Sequence, residues 1–416
     1  MWKPELLTPA KNLERLQVAI TYGADAVYLG GQNYGLRARA DNFSPEDLQR
    51  GVTFAHERGA KVYVTLNAFL HDEDFSEFGD YCQLLEQLNV DAVIVSDLGV
   101  MRVINNCSNL KIHLSTQASC LNGYAARLWA RFGVDRLILG REVSITEAGQ
   151  MRAKFSAENP QAAPLEIEMF IHGAMCMAYS GHCTISNYTA GRDSNRGGCI
   201  QSCRLPYQLS SEDSTITFMS SKDLWGIYQV GDFFKHHICS LKIEGRMKSS
   251  FYVAMTCKAY RRAIDAYSQG ELTPELLQEI AADLQSIPHR DYFSGSLETA
   301  AGEGSVFEQA AGNNTGTHDY LGMVLDTTEE AIAIKLVEPL SVGDKVEFIL
   351  PHGQPINYQV NSLFSVVGEE INFMRKDGIV CIPKFPELAQ VHQLHLLRLS
   401  PSKVEITAPY SMVTGS

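Results

Sequence analysis

The strongest constraint on the fold is a rhythm: short runs of β-branched and aromatic residues recur from the N-terminus, each followed by a segment of helical periodicity. The runs are Pro4–Thr8, Ala26–Gly30, Lys61–Leu66, Ala92–Ser96, Lys111–Thr116, Arg136–Gly140, Leu165–Ile171 and Ser240–Glu244, and their composition is that of strands. Between them, Asn12–Tyr22 reads as an amphipathic helix. Pro45–Arg58 reads as another, with Ser44 as its N-cap, Asp47 three residues on and Gly59 as its stop. All but one of the intervals have the length of a βαβ crossover. Eight such units predict a (β/α)₈ barrel over residues 1–270, near the usual size of about 250 residues. A doubly wound open sheet is the competing fold. It calls for a Gly-rich phosphate turn after the first strand, and Thr8-Pro9-Ala10-Lys11-Asn12 is not one.

The rhythm breaks between the seventh and eighth runs, where residues 172–239 intervene and one helix would suffice. An insertion is expected there, at 173–210. Beyond Gly270 the chain predicts a helix (Pro274–Ser286) and a Gly-, Ala- and Ser-rich linker (Ser294–Gly316), so that 271–318 connects the barrel to a further domain. Residues 319–400 alternate and are punctuated by turns at Val342-Gly343-Asp344, Pro351-His352-Gly353 and Asp377-Gly378. They predict a small antiparallel β-barrel domain. No apolar stretch approaches the ~20 residues of a membrane span. The opening residues Met1-Trp2-Lys3-Pro4 lack a secretory signal pattern, so a cytoplasmic protein with no membrane partner is expected. In a reducing compartment a tight cysteine cluster reads first as metal-binding or redox-active.

Such a cluster occupies the insertion. Four of the ten cysteines, Cys176, Cys183, Cys199 and Cys203, fall within 28 residues. Soft thiolates select zinc or iron–sulfur clusters. Only Cys199/Cys203 has the close pairing of a zinc knuckle, which leans the set towards iron–sulfur, with zinc or unliganded thiols as the other readings. Cys239, just before the eighth run, is a further candidate fourth ligand. Cys82, Cys107, Cys120, Cys257 and Cys381 read as packing residues.

In a barrel of this kind the active site gathers at the C-terminal ends of the strands. Reading those ends gives Asn67, Ser96-Asp97, Ser115-Thr116-Gln117, Arg141-Glu142, His172 and Glu244-Gly245-Arg246-Met247-Lys248. Taken singly, each is as readily structural: Glu244 with Arg246 or Lys242 makes a buried ion pair, and a lone histidine is commonly a satisfied hydrogen-bonder. Together they form a rim with an imidazole, cations and a carboxylate. His172 closes the seventh run four residues before Cys176, which places the insertion at the barrel mouth.

The pattern Glu168-x-Phe170-x-x-Gly173-Ala174-Met175-Cys176-x₄-Gly181-x-Cys183-x-Ile185-Ser186 resembles the signature of the collagenase-like peptidases of family U thirty-two. Glu5-Leu6-Leu7-x-Pro9-Ala10, Gly23-Ala24-Asp25-Ala26-Val27-Tyr28, Ser220-Ser221-Lys222-Asp223-Leu224 and Leu241-Lys242-Ile243-Glu244-Gly245-Arg246 are also family-like. Within the family, Trp2-Lys3-Pro4-Glu5-Leu6-Leu7, Gly35-Leu36-Arg37-x-Arg39 and Met177-Ala178-Tyr179-Ser180-Gly181 are most similar to the tRNA-hydroxylating branch. The resemblance implies oxygen-independent formation of 5-hydroxyuridine at the tRNA wobble position, with a [4Fe–4S] cluster, with prephenate as a required co-substrate and with an electron donor. It implies Cys176, Cys183 and Cys199 as ligands, and Cys239 as the fourth, with Cys203 the alternative. His172, Glu244 and Arg246 are then the catalytic candidates, and Arg37, Arg39, Asn67, Gln117, Arg141 and Lys248 the substrate-binding ones. A collagenase-like peptidase or metalloprotease and a non-enzymatic iron–sulfur scaffold are the rival functions. The residues supply no nucleophile elbow and no His-Glu-x-x-His helix.

The formal charge of −13 excludes a broadly basic nucleic-acid binder. Its distribution admits a local one. Residues 271–312 hold eight acids and one base, and 319–400 hold eleven acids and six bases, whereas 173–207 carry Arg192, Arg196 and Arg204 against Asp193 alone.

Overall fold

A computed structural model of the chain describes residues 2–36, 42–208, 215–306 and 319–400, in two compact units that divide near residue 315. In the first unit the strands are β1 (Glu5–Pro9), β2 (Ala26–Leu29), β3 (Lys61–Leu66), β4 (Ala92–Val95), β5 (Lys111–Leu114), β6 (Arg136–Ile138), β7 (Glu166–Ala174), β8 (Asp223–Trp225), β9 (Ser240–Ile243) and β10 (Tyr292–Phe293). The helices are α1 (Leu13–Thr21), α2 (Pro45–His56), α3 (Phe78–Gln87), α4 (Leu98–Cys107), α5 (Gly123–Arg131), α6 (Ile145–Glu158), α7 (Ile185–Ala190), α8 (Val230–Lys235), α9 (Ser250–Gln269) and α10 (Pro274–Gln285). Strands β1 to β7 pair in sequence order, all parallel, and β9 pairs parallel with both β7 and β1. The sheet therefore closes as a (β/α)₈ barrel whose eighth strand is β9. Among the described residues no helix is long and apolar enough to cross a membrane.

Two sets of polar contacts fix this register. At the strand starts, Asp25 accepts from the Leu6 amide, Asp91 from the Val62 amide and Asp135 from the Ile112 amide, each at 2.8 Å. Each aspartate immediately precedes its own strand and holds the strand before it, so β1/β2, β3/β4 and β5/β6 are locked in the same way. Inside the barrel, Arg136 bonds Glu5 at 2.6 Å and Glu168 at 3.4 Å, and Lys242 bonds Glu168 at 2.8 Å. Tyr63 and Ser240 donate to Glu5 at 2.7 and 3.0 Å. Glu5 on β1 reaches residues of β3 and β6, which are not its sheet neighbours, so these side chains point into the barrel. Around the outside, Leu16, Val18, Leu48, Val52, Leu85 and Ile104 bury the inner faces of α1 to α4.

The long interval between β7 and β9 also holds, beyond the expected insertion at 173–210, the strand β8 and the helix α8, which leads into β9. Two expectations are corrected. Strand β7 runs on to Ala174 rather than ending at Ile171, because β8 pairs antiparallel with residues 172–174. The expected linker is bound to the barrel unit as far as residue 306: β10 pairs with β8, Leu297 is buried and accepts from the Ile145 amide, and Ser221 bridges Val306.

The second unit is a curled antiparallel sheet. Its strands are β11 (Tyr320–Thr327), β12 (Ala331–Leu336), β13 (Leu340–Ser341), β14 (Lys345–Ile349), β15 (Ile356–Gln359), β16 (Leu363–Phe364), β17 (Glu370–Ile371), β18 (Phe373–Met374), β19 (Ile379–Pro383) and β20 (Leu396–Leu399). The order is β15-β14-β20-β11-β12-β19-β16-β17, and β13 pairs with β18. Leu321, Ile334, Val346, Phe348 and Leu397 form its core.

Glu168 is fully buried and shared by two cations. Replacing it by Ala strands Lys242 and should cost about 3–5 kcal/mol, read as a lowered urea midpoint of the barrel unit. A shift equivalent to less than ~1 kcal/mol, the level of a surface pair, would refute the role given to this network.

Candidate functional site

The segment from Met175 to Ser221 leaves the barrel at the end of β7 and returns beside its own start. Arg204 closes it. Its guanidinium donates to the carbonyls of Met175 and Ser221, the latter at 2.7 Å, and to the Ser220 hydroxyl at 3.1 Å. Ser221 Oγ also donates to Met175 O, at 2.7 Å. Burial lowers the pKa of Arg204, with Arg290 adding to the effect, yet a guanidinium stays charged.

The segment is pressed onto the mouth at two glycines. Gly173 (φ +101°) and Gly181 (φ +80°) adopt backbone open chiefly to glycine. A Cβ at either would collide with a carbonyl, that of Glu244 or of Gln117 respectively. Ser180 is held by Glu142, which accepts from its amide at 3.0 Å, and by Arg141, whose amide donates to Ser180 Oγ at 3.2 Å. The Ser119 hydroxyl donates to Ser180 O. On the far side Phe69 N donates to Asn195 O at 3.1 Å, and Arg196 pairs with Asp74 at 2.8 Å.

Within this frame Cys176 and Cys199 are exposed, and Cys183 and Cys203 are half-buried. The Cys203 thiol is pushed above its ordinary pKa by burial, opposed by Arg204 and reinforced by the charges of Cys176, Cys199 and Cys183. All four are carried on the one segment anchored at the mouth. Among the described residues no three ligand side chains close on a single ion. A tetrahedral zinc site needs its sulfurs about 3.8 Å apart, as Zn–S bonds of about 2.3 Å require. Four soft thiols on one segment are of the kind that binds zinc or an iron–sulfur cluster.

Cys239 is elsewhere. It precedes β9 and so stands at the N-terminal end of the barrel, where its thiol donates to Ile167 O at 3.1 Å and burial pushes its pKa up to about 12. Its charged neighbours are Arg136, Glu166, Glu168 and Glu5, residues of the barrel's interior and base. The length of the barrel strands separates it from the mouth, against the expectation that it completes the set.

His172 is also corrected. Pairing of β7 with β9 runs Phe170↔Lys242 and then His172↔Ile243, a bulge that shifts the alternation by one residue. His172 consequently faces outward, buried against α9, with Nδ1 3.1 Å from Tyr260 Oη and its ring beside Tyr252. Burial pushes its pKa down to about 3.

The remaining rim residues divide. Asn67 is structural: it accepts from Leu36 N, donates to Ser115 Oγ and has its own carbonyl bound by Ser96. Gln117 meets the segment through its backbone at Gly181. Glu244 accepts from Tyr28 Oη at 3.1 Å, and Arg246 donates to Asn42. Arg141 stands over the Phe170 ring at 4.1 Å and points Nη1 at Cys176 Sγ, 3.9 Å away. Lys248 lies 5.1 Å from the Tyr252 ring. Its pKa is lowered by burial, with Arg290 and Arg204 adding to the effect and Asp223 opposing it. Arg37 and Arg39 lie outside the described residues. Sequence reasoning missed the pair Asp223–Arg290. Burial raises the Asp223 pKa, but Arg290 and Lys248 outweigh it and hold the carboxyl below its usual range.

A cavity of about 450 Å³ opens at the opposite end of the barrel among Lys61, Lys111, His113 and Arg136. It is remote from the thiols, and its Asp91 and Asp135 are already bound to strand amides.

Fold and site together define a (β/α)₈ protein with a cysteine-bearing segment mounted at its mouth. A model of the family described as Peptidase family U32 matches residues 11–305, and the chain belongs to that family. It is 40% identical over 388 residues to the tRNA hydroxylation protein P1 of Bacillus subtilis, covering 90% of each chain. It is 31% identical over 451 residues to the tRNA hydroxylation protein P of Escherichia coli, covering 96% of this chain and 97% of that one. A Porphyromonas gingivalis protein named collagenase is 33% identical over 302 residues, covering 70% of this chain and 72% of its own.

A buried neutral histidine stabilises the fold above its unfolded pKa of about 6.5, and the stability is lost as pH falls towards its folded value of about 3. Between pH 6 and 4 the loss should approach about 1.4 kcal/mol per pH unit. In His172→Phe that slope should shrink, whatever the variant's absolute stability. An unchanged slope in urea titrations across this range would refute the assignment.

Proposed function

We propose that this chain hydroxylates tRNA, forming 5-hydroxyuridine at the wobble position without molecular oxygen, with a [4Fe–4S] cluster at the barrel mouth and prephenate as co-substrate. The observation that carries the reading is the mounting of Cys176, Cys183, Cys199 and Cys203 on one segment anchored at the barrel mouth, in a chain whose relatives include proteins named for tRNA hydroxylation. These four residues, with Cys203 in place of Cys239, would hold the cluster. Bound there, it would supply one-electron chemistry beside the mouth.

The chain's own groups suit the rest. Arg141 places a cation against Cys176, which stabilises thiolate charge. Lys248 and Arg141 add positive charge at the rim, where a dianion such as prephenate would bind; guanidinium is well matched to carboxylate. Arg192, Arg196 and Arg204 outnumber Asp193 in the segment, but Arg196 is already paired with Asp74, so RNA affinity should rest on few phosphate contacts and be correspondingly salt-sensitive. For a peptidase, a thiol would need a base. None of the four mouth thiols is hydrogen-bonded to a histidine or carboxylate among the described residues.

Two measurements test this. In a strain lacking the gene, wobble 5-hydroxyuridine should disappear from tRNA nucleosides analysed by mass spectrometry; an unchanged level would sink the reading and leave the scaffold role. In protein purified anaerobically, Cys203→Ser should lose most of its iron and its visible charge-transfer absorption, and Cys239→Ser should keep both. The reverse pattern would restore Cys239 as the ligand.

A further inference from the structure

A second cavity, about 330 Å³, opens at the mouth between the β2–α2 loop, the turn after β3 and the cysteine segment. Its wall is shared with the proposed centre. Arg196 donates to Phe69 O at 2.6 Å and pairs with Asp74, and Asn195 Nδ2 donates to Cys183 O at 3.2 Å. The other wall is held in an uncommon conformation: Tyr34 has φ +64°, its carbonyl accepts from Ala68 N at 3.2 Å, and its ring packs edge-on against Phe78 at 4.9 Å. Left-handed backbone at a bulky residue persists where its surroundings over-determine it, and such positions cluster at ligand clamps.

Gln32 and Asn33 line the entrance. Both are exposed, and neither side-chain amide bonds another described residue. A primary amide presents an acceptor beside donors, the complement of the alternating carbonyl and N–H groups along a uracil edge. Ala68, Phe69 and Leu70 supply an apolar lining of the kind on which an unpaired base packs. Enzymes that act on a base commonly extrude it from its stack into such a pocket.

We propose that this cavity receives the extruded target base of the RNA substrate, with Gln32 and Asn33 bonding its imide edge. The proposal rests on the reading of the chain as a tRNA hydroxylase. It adds the place where the base is held, next to the segment bearing Cys183 and Cys199, and the residues that recognise it.

The test uses the full-length protein, purified anaerobically, and two anticodon stem–loop RNAs that differ only in carrying uridine or an abasic site at the wobble position. Binding is followed by fluorescence anisotropy at fixed salt. The wild type should prefer the uridine RNA by about tenfold, as two neutral hydrogen bonds of ordinary strength allow. The exposed-loop double variant Gln32→Ala/Asn33→Ala should lose that preference while keeping its affinity for the abasic RNA and its iron content. A double variant that still discriminates overturns the pocket assignment and leaves the hydroxylase reading intact. A wild type that binds both RNAs equally also overturns the pocket, and one that binds neither overturns the tRNA reading with it.

Discussion

The barrel depends on a carboxylate that water never reaches. Glu168, fully buried on β7, is shared between Arg136 of β6 and Lys242 of β9, and Arg136 extends the contact to Glu5 of β1. Four strands are thereby joined through one charge-balanced interior cluster. Desolvating such groups is costly, and a buried ion set is weak evidence of net stability. Its effect is on specificity: a one-residue slip of β7 or β9 would turn Glu168 or Lys242 out of the cluster and leave its partners unpaired. The end of β7, and with it the departure point of the cysteine segment, is placed by that requirement.

The segment in turn behaves as a fitted part. Arg204 ties its first residue to its last, Gly173 and Gly181 let it lie against the carbonyls of Glu244 and Gln117, and Ser180 is gripped by residues that follow β5 and β6. Four thiols are thus presented from a loop whose ends and middle are all anchored to the strand termini. Such anchoring holds the cysteine-bearing segment at a constant position relative to what enters the mouth.

Much of this was legible in the chain. The eight runs become the eight barrel strands because apolar alternation and turn chemistry agree there with the closed sheet. That an extra segment bearing Cys176, Cys183, Cys199 and Cys203 leaves the barrel at the end of the seventh strand also followed from the sequence. What escaped had physical reasons. The bulge after Phe170 reverses the facing of His172, and strand alternation alone does not reveal a bulge. Cys239 lies near the eighth strand in sequence, but a residue before a barrel strand stands at the base and not at the mouth, which strand direction alone foretells. Asp223 was visible in a family-like run, yet β8 is only three residues long and pairs off the barrel. Its partner Arg290 is the single base among eight acids in 271–312, and a cation so isolated in an acidic stretch is a signal of a dedicated carboxylate partner. The supposed linker carries Leu297 into the core, where small residues around it suggested only flexibility.

The three aspartates that precede β2, β4 and β6 also bear on how the barrel assembles. Each joins two strands that follow one another in sequence, so each pair closes only a short loop and can form early, independently of the others. Joining β9 to β1 instead spans Glu5↔Ser240, nearly the whole unit, and brings Lys242 to Glu168. Closure therefore carries a larger loop-closure cost than any pairing of successive strands. Until it happens, β1 presents an open edge, and a nascent chain is exposed to wrong partners until Ser240–Ile243 has been made.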